Sequence, residues 1–342
     1  MKLRNTPNRL SEVGGLRRAA RLGDAASGAV QALLRPARAL GFPYRKPTVP
    51  KGAEVPPTPN RLGADFETEW ARSVPARAAR AVVTNGAVTA LVKALADPEV
   101  LGVDRLADLQ RMDDPPAVIF APNHHSHLDT GVMLYATPAP WRSKLVVAAA
   151  ADYFFDTRVK GALAALALNA FPIDREVTGR KSSDELRRLL DTGWSLVIYP
   201  EGGRSPDGWG QDFKGGAAYL SGRTGAPVVP VFIDGTGSIY GKGMKRPRPG
   251  TTKVVFGSPL WPEEGENTRR FNSRIEAAVT ALGDEALTDW WNAARRSADG
   301  TSPRLTGPEY TGWRRQWALA EHRRLGSAGR RRRQRRRWPD LG

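Results

Sequence analysis

The sequence predicts an α/β fold, with helices around a mainly parallel sheet and a basic extension at each end. Three observations predict it. Short apolar segments of strand length alternate with helix-period segments through the middle of the chain, an alternation that builds parallel sheets through helical crossovers. Several of these apolar segments run straight into polar, reactive residues, and ligands of such sheets gather at the carboxyl ends of the strands. The charge is uneven: the net +17 divides into +9 over residues 1–62, −2 over 63–294 and +10 over 295–342. A nearly neutral body thus lies between two basic arms.

Asp24 to Leu34 has the spacing of a short basic, amphipathic helix, with Asp24 as its cap and Pro36 beyond its end. Its apolar side suits either a membrane surface or packing on the body. Pro43, Pro47, Pro50, Pro56, Pro57 and Pro59 mark residues 41–59 as a linker. A helix is expected from Arg77 to Leu95, with Ala81, Val82, Val88, Leu91, Val92 and Leu95 on its apolar stripe and Asp97-Pro98 ending it. Strands are expected at Ala117–Ala121, Lys144–Ala150, Ser195–Tyr199, Pro227–Ile233 and Thr252–Phe256. Helices are expected at Val159–Leu168, at Ser183–Asp191 behind a serine cap, and at Thr268–Leu282.

The chain has 342 residues, 40% hydrophobic and 25% charged, which excludes a wholly disordered or collagen-like protein. That length holds two ordinary domains, or one large α/β domain with extensions. It contains no cysteine, so disulfides, thiolate metal sites and cysteine nucleophiles are excluded. The longest apolar runs fall short of a membrane span, and no secretory leader is visible. The histidines are His124, His125, His127 and His322.

The first strand runs into Pro122-Asn123-His124-His125-Ser126-His127-Leu128-Asp129. A histidine followed five residues later by an aspartate suits a general base and the carboxylate that orients it. A turn leading into a helix would bring the two together, whereas a regular helix would not. A metal reading competes for the same residues, because His125-x-His127-x-Asp129 resembles the metal-binding start of the metallo-β-lactamase fold. Thr130 stands where that motif needs a further histidine, and a zinc site needs three or four good ligands. Taken alone, the segment also reads as a polar loop.

Three more blocks lie downstream. They are Phe171-Pro172-Ile173-Asp174-Arg175, then Pro200-Glu201-Gly202-Gly203-Arg204-Ser205 with Phe213-Lys214-Gly215-Gly216 after it, and Val229-Pro230-Val231. The four blocks, in this order, resemble the motifs of the lysophospholipid acyltransferase family, whose best-known members are the 1-acylglycerol-3-phosphate acyltransferases. Those motifs are Asn-His-x4-Asp, Phe-x-Ile-Asp-Arg, Pro-Glu-Gly-x-Arg-Ser and Val-Pro-Val, and the resemblance covers roughly residues 77–282.

The resemblance implies transfer of a fatty acyl group from acyl-CoA or acyl-carrier protein to the hydroxyl of a lysophospholipid, lysophosphatidate first. It implies His124 as base, Asp129 as its orienting carboxylate, and Arg175, Glu201, Gly202, Gly203, Arg204 and Lys214 at the acceptor. Arginine forks hold phosphate bidentately, and glycines admit close backbone approach. Gly203 departs from the family, which commonly has threonine there, so acceptor identity is less sharply drawn than reaction type. Neither metal nor redox cofactor is expected. The rival readings are the same chemistry on another lysolipid or glycolipid, or a noncatalytic lipid- or nucleic-acid-binding protein on this scaffold. On this reading residues 1–62 are a basic proline-rich extension, 63–290 the acyltransferase domain and 291–342 a Trp/Arg-rich extension.

Residues 261–342 carry Trp261, Trp290, Trp291, Trp313, Trp317 and Trp338 among basic residues, with seven arginines between Arg330 and Arg337. Tryptophan beside arginine suits anionic lipid headgroups, and peripheral attachment to the cytoplasmic face of the plasma membrane is the expectation. Nucleic acid is the lesser alternative. A solubilising tail, with arginine abundance reflecting GC-rich coding, is the plain one.

Overall fold

The computed structural model describes residues 66–173, 180–205 and 208–306. The expected helix Asp24–Leu34, the linker 41–59, Arg175, His322 and the arginine run lie outside the described residues.

Seven strands form one sheet: β1 (Pro98–Leu101), β2 (Ile119–Pro122), β3 (Leu145–Ala150), β4 (Ala170–Ile173), β5 (Ser195–Val197), β6 (Val228–Asp234) and β7 (Thr252–Phe256). Their order is β1-β7-β6-β2-β5-β3-β4. Every neighbouring pair is parallel except β6 with β7, so the sheet is mixed but mostly parallel. The central strands are buried on both faces, which is why they read as unbroken apolar runs. Alternation divides them between two cores. Ile119 and Ala121 of β2, with Val228 and Phe232 of β6, face one cluster. Val118 and Phe120, with Val229, Val231 and Ile233, face the other.

Helices cover both faces. The first core is closed by α5 (Arg180–Asp191), α6 (Gly216–Thr224) and α8 (Thr268–Leu287), through Leu186, Leu189 and Leu190, then Leu220, then Phe271, Ile275 and Val279. The second is closed by α2 (Thr89–Ala96) and α3 (Leu128–Ala136), through Val92, Ala96, Val132 and Met133. Side-chain caps set helix starts, among them Asn267, which accepts from Arg270 N–H at 2.9 Å, and Asp289, which accepts from Asn292 N–H at 2.9 Å ahead of α9 (Trp290–Ala298). Helix α9 packs against α8.

The five expected strands form, with ends shifted by a few residues, and two unexpected ones join them. Both carry a proline and both lie at a sheet edge. Pro98 opens β1, which pairs only with β7, and Pro172 sits in β4, which pairs only with β3. A missing N–H is tolerated at an edge. Pro230 lies inside the sheet, but its carbonyl accepts from Gly257 N–H at 2.9 Å, past the last β7 pair. Its absent donor therefore falls where that ladder has ended.

The expected helix Arg77–Leu95 is longer and differently oriented. It runs as α1 (Val74–Val83), a π-helical turn (Thr84–Val88) and α2. The extra residue per turn rotates the helix beyond it, and only part of the expected stripe is buried: Val92 lies in the core and Val88 packs against it. Ala76, Arg80, Thr84, Val92 and Ala96 are buried, while Ala81, Val82 and Leu91 are exposed. Arg80 explains the start of this face. Its guanidinium donates to the carbonyls of Leu166 at 2.9 Å, Ala165 at 3.1 Å and Ala71 at 2.5 Å. It thereby closes the C-terminal end of α4 (Arg158–Leu168). Burial lowers its pKa to about 10, which leaves it charged. The Ser183 cap is replaced: α5 begins at Arg180, and Ser183 lies within it.

Candidate active site

The site begins where β2 ends. Asn123 is buried, and its amide donates to Ile233 C=O at 2.9 Å and accepts from Ile233 N–H at 2.7 Å. The side chain thus continues the β2–β6 ladder after the backbone has turned away. The turn beyond it leads into α3, with Asp129 in its first turn.

Asp129 Oδ2 accepts from three donors: His124 Nδ1 at 2.9 Å, His125 N–H at 2.7 Å and Ser126 N–H at 2.8 Å. The backbone bonds fix the carboxylate before it meets the ring. Holding Nδ1 as a donor leaves Nε2 as the basic nitrogen. Tyr199 stacks on the same imidazole, with ring centroids 4.0 Å apart and planes at 23°. Its hydroxyl pairs with Thr130 Oγ1 at 3.1 Å, and burial pushes the phenol well above its ordinary pKa. The His124 side chain remains 13% exposed, open to the cavity beside it.

Glu201 follows β5 and is buried. Its Oε1 accepts from His124 N–H at 2.8 Å and its Oε2 from Gln211 N–H at 2.9 Å. Ser205 N–H donates to His124 C=O at 2.8 Å, so the peptide groups on both sides of the histidine are tied to the Glu201–Ser205 turn. Burial raises the Glu201 carboxyl to about 7, against the opposing pull of those two hydrogen bonds. Gly202 has φ +70°, and a Cβ there would sit 2.7 Å from Lys214 Nζ. That turn requires glycine, and it places the lysine against the motif backbone. A Cβ on Gly203 would meet nothing within 4 Å.

His124, Gly202, Gly203, Arg204 and Lys214 line one cavity of about 1150 Å³. An apolar wall is formed by Val147 to Ala150 from β3, Phe154, Leu168, Ile173 from the end of β4, Leu186 and Leu220, while Ser183, Asp184, Arg223 and Lys242 also line the cavity. The cavity lies at the carboxyl ends of β2, β5, β3 and β4, as the fold class requires. His127 joins this wall, edge-on to Phe154 with centroids 5.9 Å apart. Burial first, then the positive field of Arg204, lower its pKa to about 4, so it is a neutral ring at ordinary pH. Among the described residues no group of three or more His, Asp or Glu is placed to hold a metal ion.

Of the residues singled out in the sequence, the structure gathers His124, Asp129, Glu201, Gly202, Gly203, Arg204 and Lys214 around one turn; Arg175 is outside the described residues. Glu201 reaches the site through backbone N–H groups, behind the cavity wall. Sequence reasoning assigned no role to Asn123, Thr130, Tyr199 and Gln211. Asn123 and Tyr199 carried a signal, as polar or aromatic residues at the ends of apolar strands; Gln211 carried none.

Fold and site together define an α/β protein with a His–Asp pair beside a half-apolar cavity. Residues 105–234 match the family model described as Acyltransferase. Among similar proteins is the chloroplastic 1-acyl-sn-glycerol-3-phosphate acyltransferase LPAT1 of Arabidopsis thaliana, 29% identical over 165 residues, 47% of this chain and 43% of that protein. Another is the chloroplastic 1-acyl-sn-glycerol-3-phosphate acyltransferase BAT2 of Brassica napus, 35% identical over 91 residues, 25% of this chain and 26% of that one. The matched regions thus span less than half the length of these relatives. The crystal structure of the 1-acyl-sn-glycerophosphate (LPA) acyltransferase PlsC from Thermotoga maritima superposes with a TM-score of 0.48 at 23% identity, covering 67% of this chain and 86% of that one.

Proposed function

We propose that this protein is an O-acyltransferase that moves a fatty acyl group from an acyl thioester to the hydroxyl of a lysophospholipid, 1-acylglycerol-3-phosphate first, to give phosphatidate. The observation that carries the reading is the His124–Asp129 bond of 2.9 Å at the mouth of a cavity with one cationic and one apolar wall. The homologous relatives, whose names specify this reaction, support the acceptor.

The acceptor oxygen attacks the thioester carbonyl carbon as Nε2 of His124 takes its proton. Asp129 holds the other ring nitrogen and stabilises the imidazolium. Collapse of the tetrahedral oxyanion breaks the C–S bond, and the imidazolium returns its proton to the departing thiolate. Arg204 and Lys214 hold the acceptor phosphate beside the Gly202 backbone, while the alkyl chain lies along Val147, Ala148 and Leu186. Glu201 positions the histidine through its backbone. The reaction balances with acceptor and thioester alone, so activity should survive exhaustive chelation; loss of activity restored by added zinc would contradict this.

Membrane association belongs to the same proposal. Among the described residues no helix is long and apolar enough to cross a membrane. Val74, Val82 and Leu91 on the first helical arm, with Val159 and Leu163 on α4, are more than half exposed. Helices α1 and α4 pack together, and these exposed apolar side chains are candidates for shallow insertion into a bilayer. A peripheral site on the cytoplasmic face of the plasma membrane fits that surface.

Gly203 favours one variant of this reading. The space where a Cβ would stand is open, so the wall beside Arg204 is wider than a threonine would leave it, and a different lysolipid headgroup fits. Purified protein, labelled acyl-CoA and a panel of lysolipids, read by mass spectrometry, test both. Labelled phosphatidate from lysophosphatidate is the expected product. Transfer only to another lysolipid would move the acceptor, and transfer to none would overturn the enzyme.

A further inference from the structure

Residues 241–250, Gly-Lys-Gly-Met-Lys-Arg-Pro-Arg-Pro-Gly, join α7 (Thr236–Tyr240) to β7 and take no part in the base catalysis at His124. The loop carries Lys242, Lys245, Arg246 and Arg248, all exposed or partly so. No Asp or Glu occurs between Asp234 and Glu263. Among the described residues, none of the four cations makes a side-chain hydrogen bond or ion pair. Four like charges on one short loop repel one another, and a bound anion relieves that repulsion.

The loop is tethered to the catalytic turn. Gly241 bridges to Ser126, and Ser126 Oγ donates to Tyr240 C=O at 2.7 Å. Arg248 N–H donates to Ile239 C=O at 2.9 Å, and Gly250 N–H to Leu95 C=O at 2.9 Å, so both ends are held. Lys242 lines the cavity together with His124.

Topology places this loop opposite the acceptor motif. In the sheet, β5 and β6 flank β2 on its two sides. The Glu201–Lys214 segment follows β5, and the basic loop follows β6 and α7. His124 stands between them, bonded to the first through Glu201 and Ser205, while its own turn is bonded to the second through Ser126. A transfer between two anionic substrates needs this arrangement, with one anion site on each side of the shared base.

We propose that loop 241–250 binds the phosphates of a nucleotide-bearing acyl thioester, acyl-coenzyme A, at the mouth of the cavity. This rests on the acyltransferase reading. A phosphomonoester plus a pyrophosphate carries roughly four negative charges, which four cations match. A lipid headgroup on an open surface would need neither the tether to Ser126 nor Lys242 in the cavity wall.

The test uses the full chain and the triple variant Lys245→Ala/Arg246→Ala/Arg248→Ala, whose side chains are exposed. Donors are acyl-coenzyme A and acyl-pantetheine with the same acyl group, which lacks the nucleotide phosphates. The variant should raise KM for acyl-coenzyme A by about tenfold or more, and KM for acyl-pantetheine and acceptor by less than about twofold. Adenosine 3′,5′-bisphosphate should bind the wild type in calorimetry, and the variant markedly less. That second measurement needs no turnover: if it succeeds while neither donor reacts, the enzyme reading fails and the anion site stands. The proposal is overturned if the wild type does not bind the bisphosphate, or if the variant shifts KM for both donors equally or for neither. It is overturned also if the variant changes only acceptor KM, or only binding to anionic vesicles.

Discussion

Asp129 and Glu201 show how one carboxylate differs from another in the same turn. Asp129 gathers the imidazole and two backbone donors on a single oxygen. Glu201 spreads its two oxygens over two loops and is left with too few donors to offset burial. The Glu201 carboxyl, raised to about 7, binds protons more tightly folded than unfolded, so its contribution to stability is full below about 4.5 and fades as pH rises through 7. His127, lowered to about 4, does the reverse: its contribution is full above about 6.5 and is lost as pH falls through 4. The two oppose each other across a shared window. Denaturant midpoints of Glu201→Gln should therefore rise with pH between about 4.5 and 7 more steeply than those of wild type; parallel curves would show that the carboxyl is not shifted. Tyr199 supplies a second prediction at this scale. Tyr199→Phe keeps the stack on His124 and should hold kcat within about threefold, whereas Tyr199→Leu should lower kcat about tenfold with KM unchanged. Equal effects in stopped-flow or steady-state assays would remove the positioning role.

At the scale of elements, the strands that build the site were legible because burial on both faces leaves an unbroken apolar run, as at Ile119–Phe120 and Val228–Val229. The His124–Asp129 juxtaposition was legible as a turn entering a helix, which α3 supplies. Strands β1 and β4 were hidden by Pro98 and Pro172, whose tolerance depends on edge positions that sequence does not state. The helical arm before β1 was legible in extent but not in phase, because its π turn breaks the 3.6-residue period and its buried face includes a charged residue. Arg80 makes that arm depend on α4. Arg80→Met should cost about 2–4 kcal/mol in chemical denaturation, since three carbonyls lose a charged donor. Arg80→Lys should recover only part of this, having no fork. A loss below about 0.5 kcal/mol would mean the carbonyls find other partners.

The whole molecule joins a nearly neutral body to strongly basic ends, and the proposed membrane attachment would then have two components. On that proposal the arginine run would contribute a term that salt screens, up to about 1 kcal/mol per residue near an anionic surface. The exposed Val82 and Leu163 would contribute one that salt does not screen. Deleting residues 326–342 should weaken co-sedimentation with anionic vesicles at low salt, while turnover on detergent-solubilised acceptor stays nearly constant. Val82→Asp/Leu163→Asp should instead remove the binding that persists at high salt. Equal binding by truncated and full-length protein at low salt would assign the tail to solubility or to nucleic acid.

The proposed base catalysis by His124 is the step on which the roles of donor, acceptor and membrane all depend. The direct test is steady-state turnover of purified wild type, His124→Ala, Asp129→Asn and the double variant with acyl-CoA and lysophosphatidate. His124→Ala should lower kcat by about a hundredfold to ten-thousandfold, Asp129→Asn by a similar factor, and the double variant by little more, because the pair works as one unit. Near-normal turnover by His124→Ala, with lysophosphatidate still converted to phosphatidate, would contradict the mechanism.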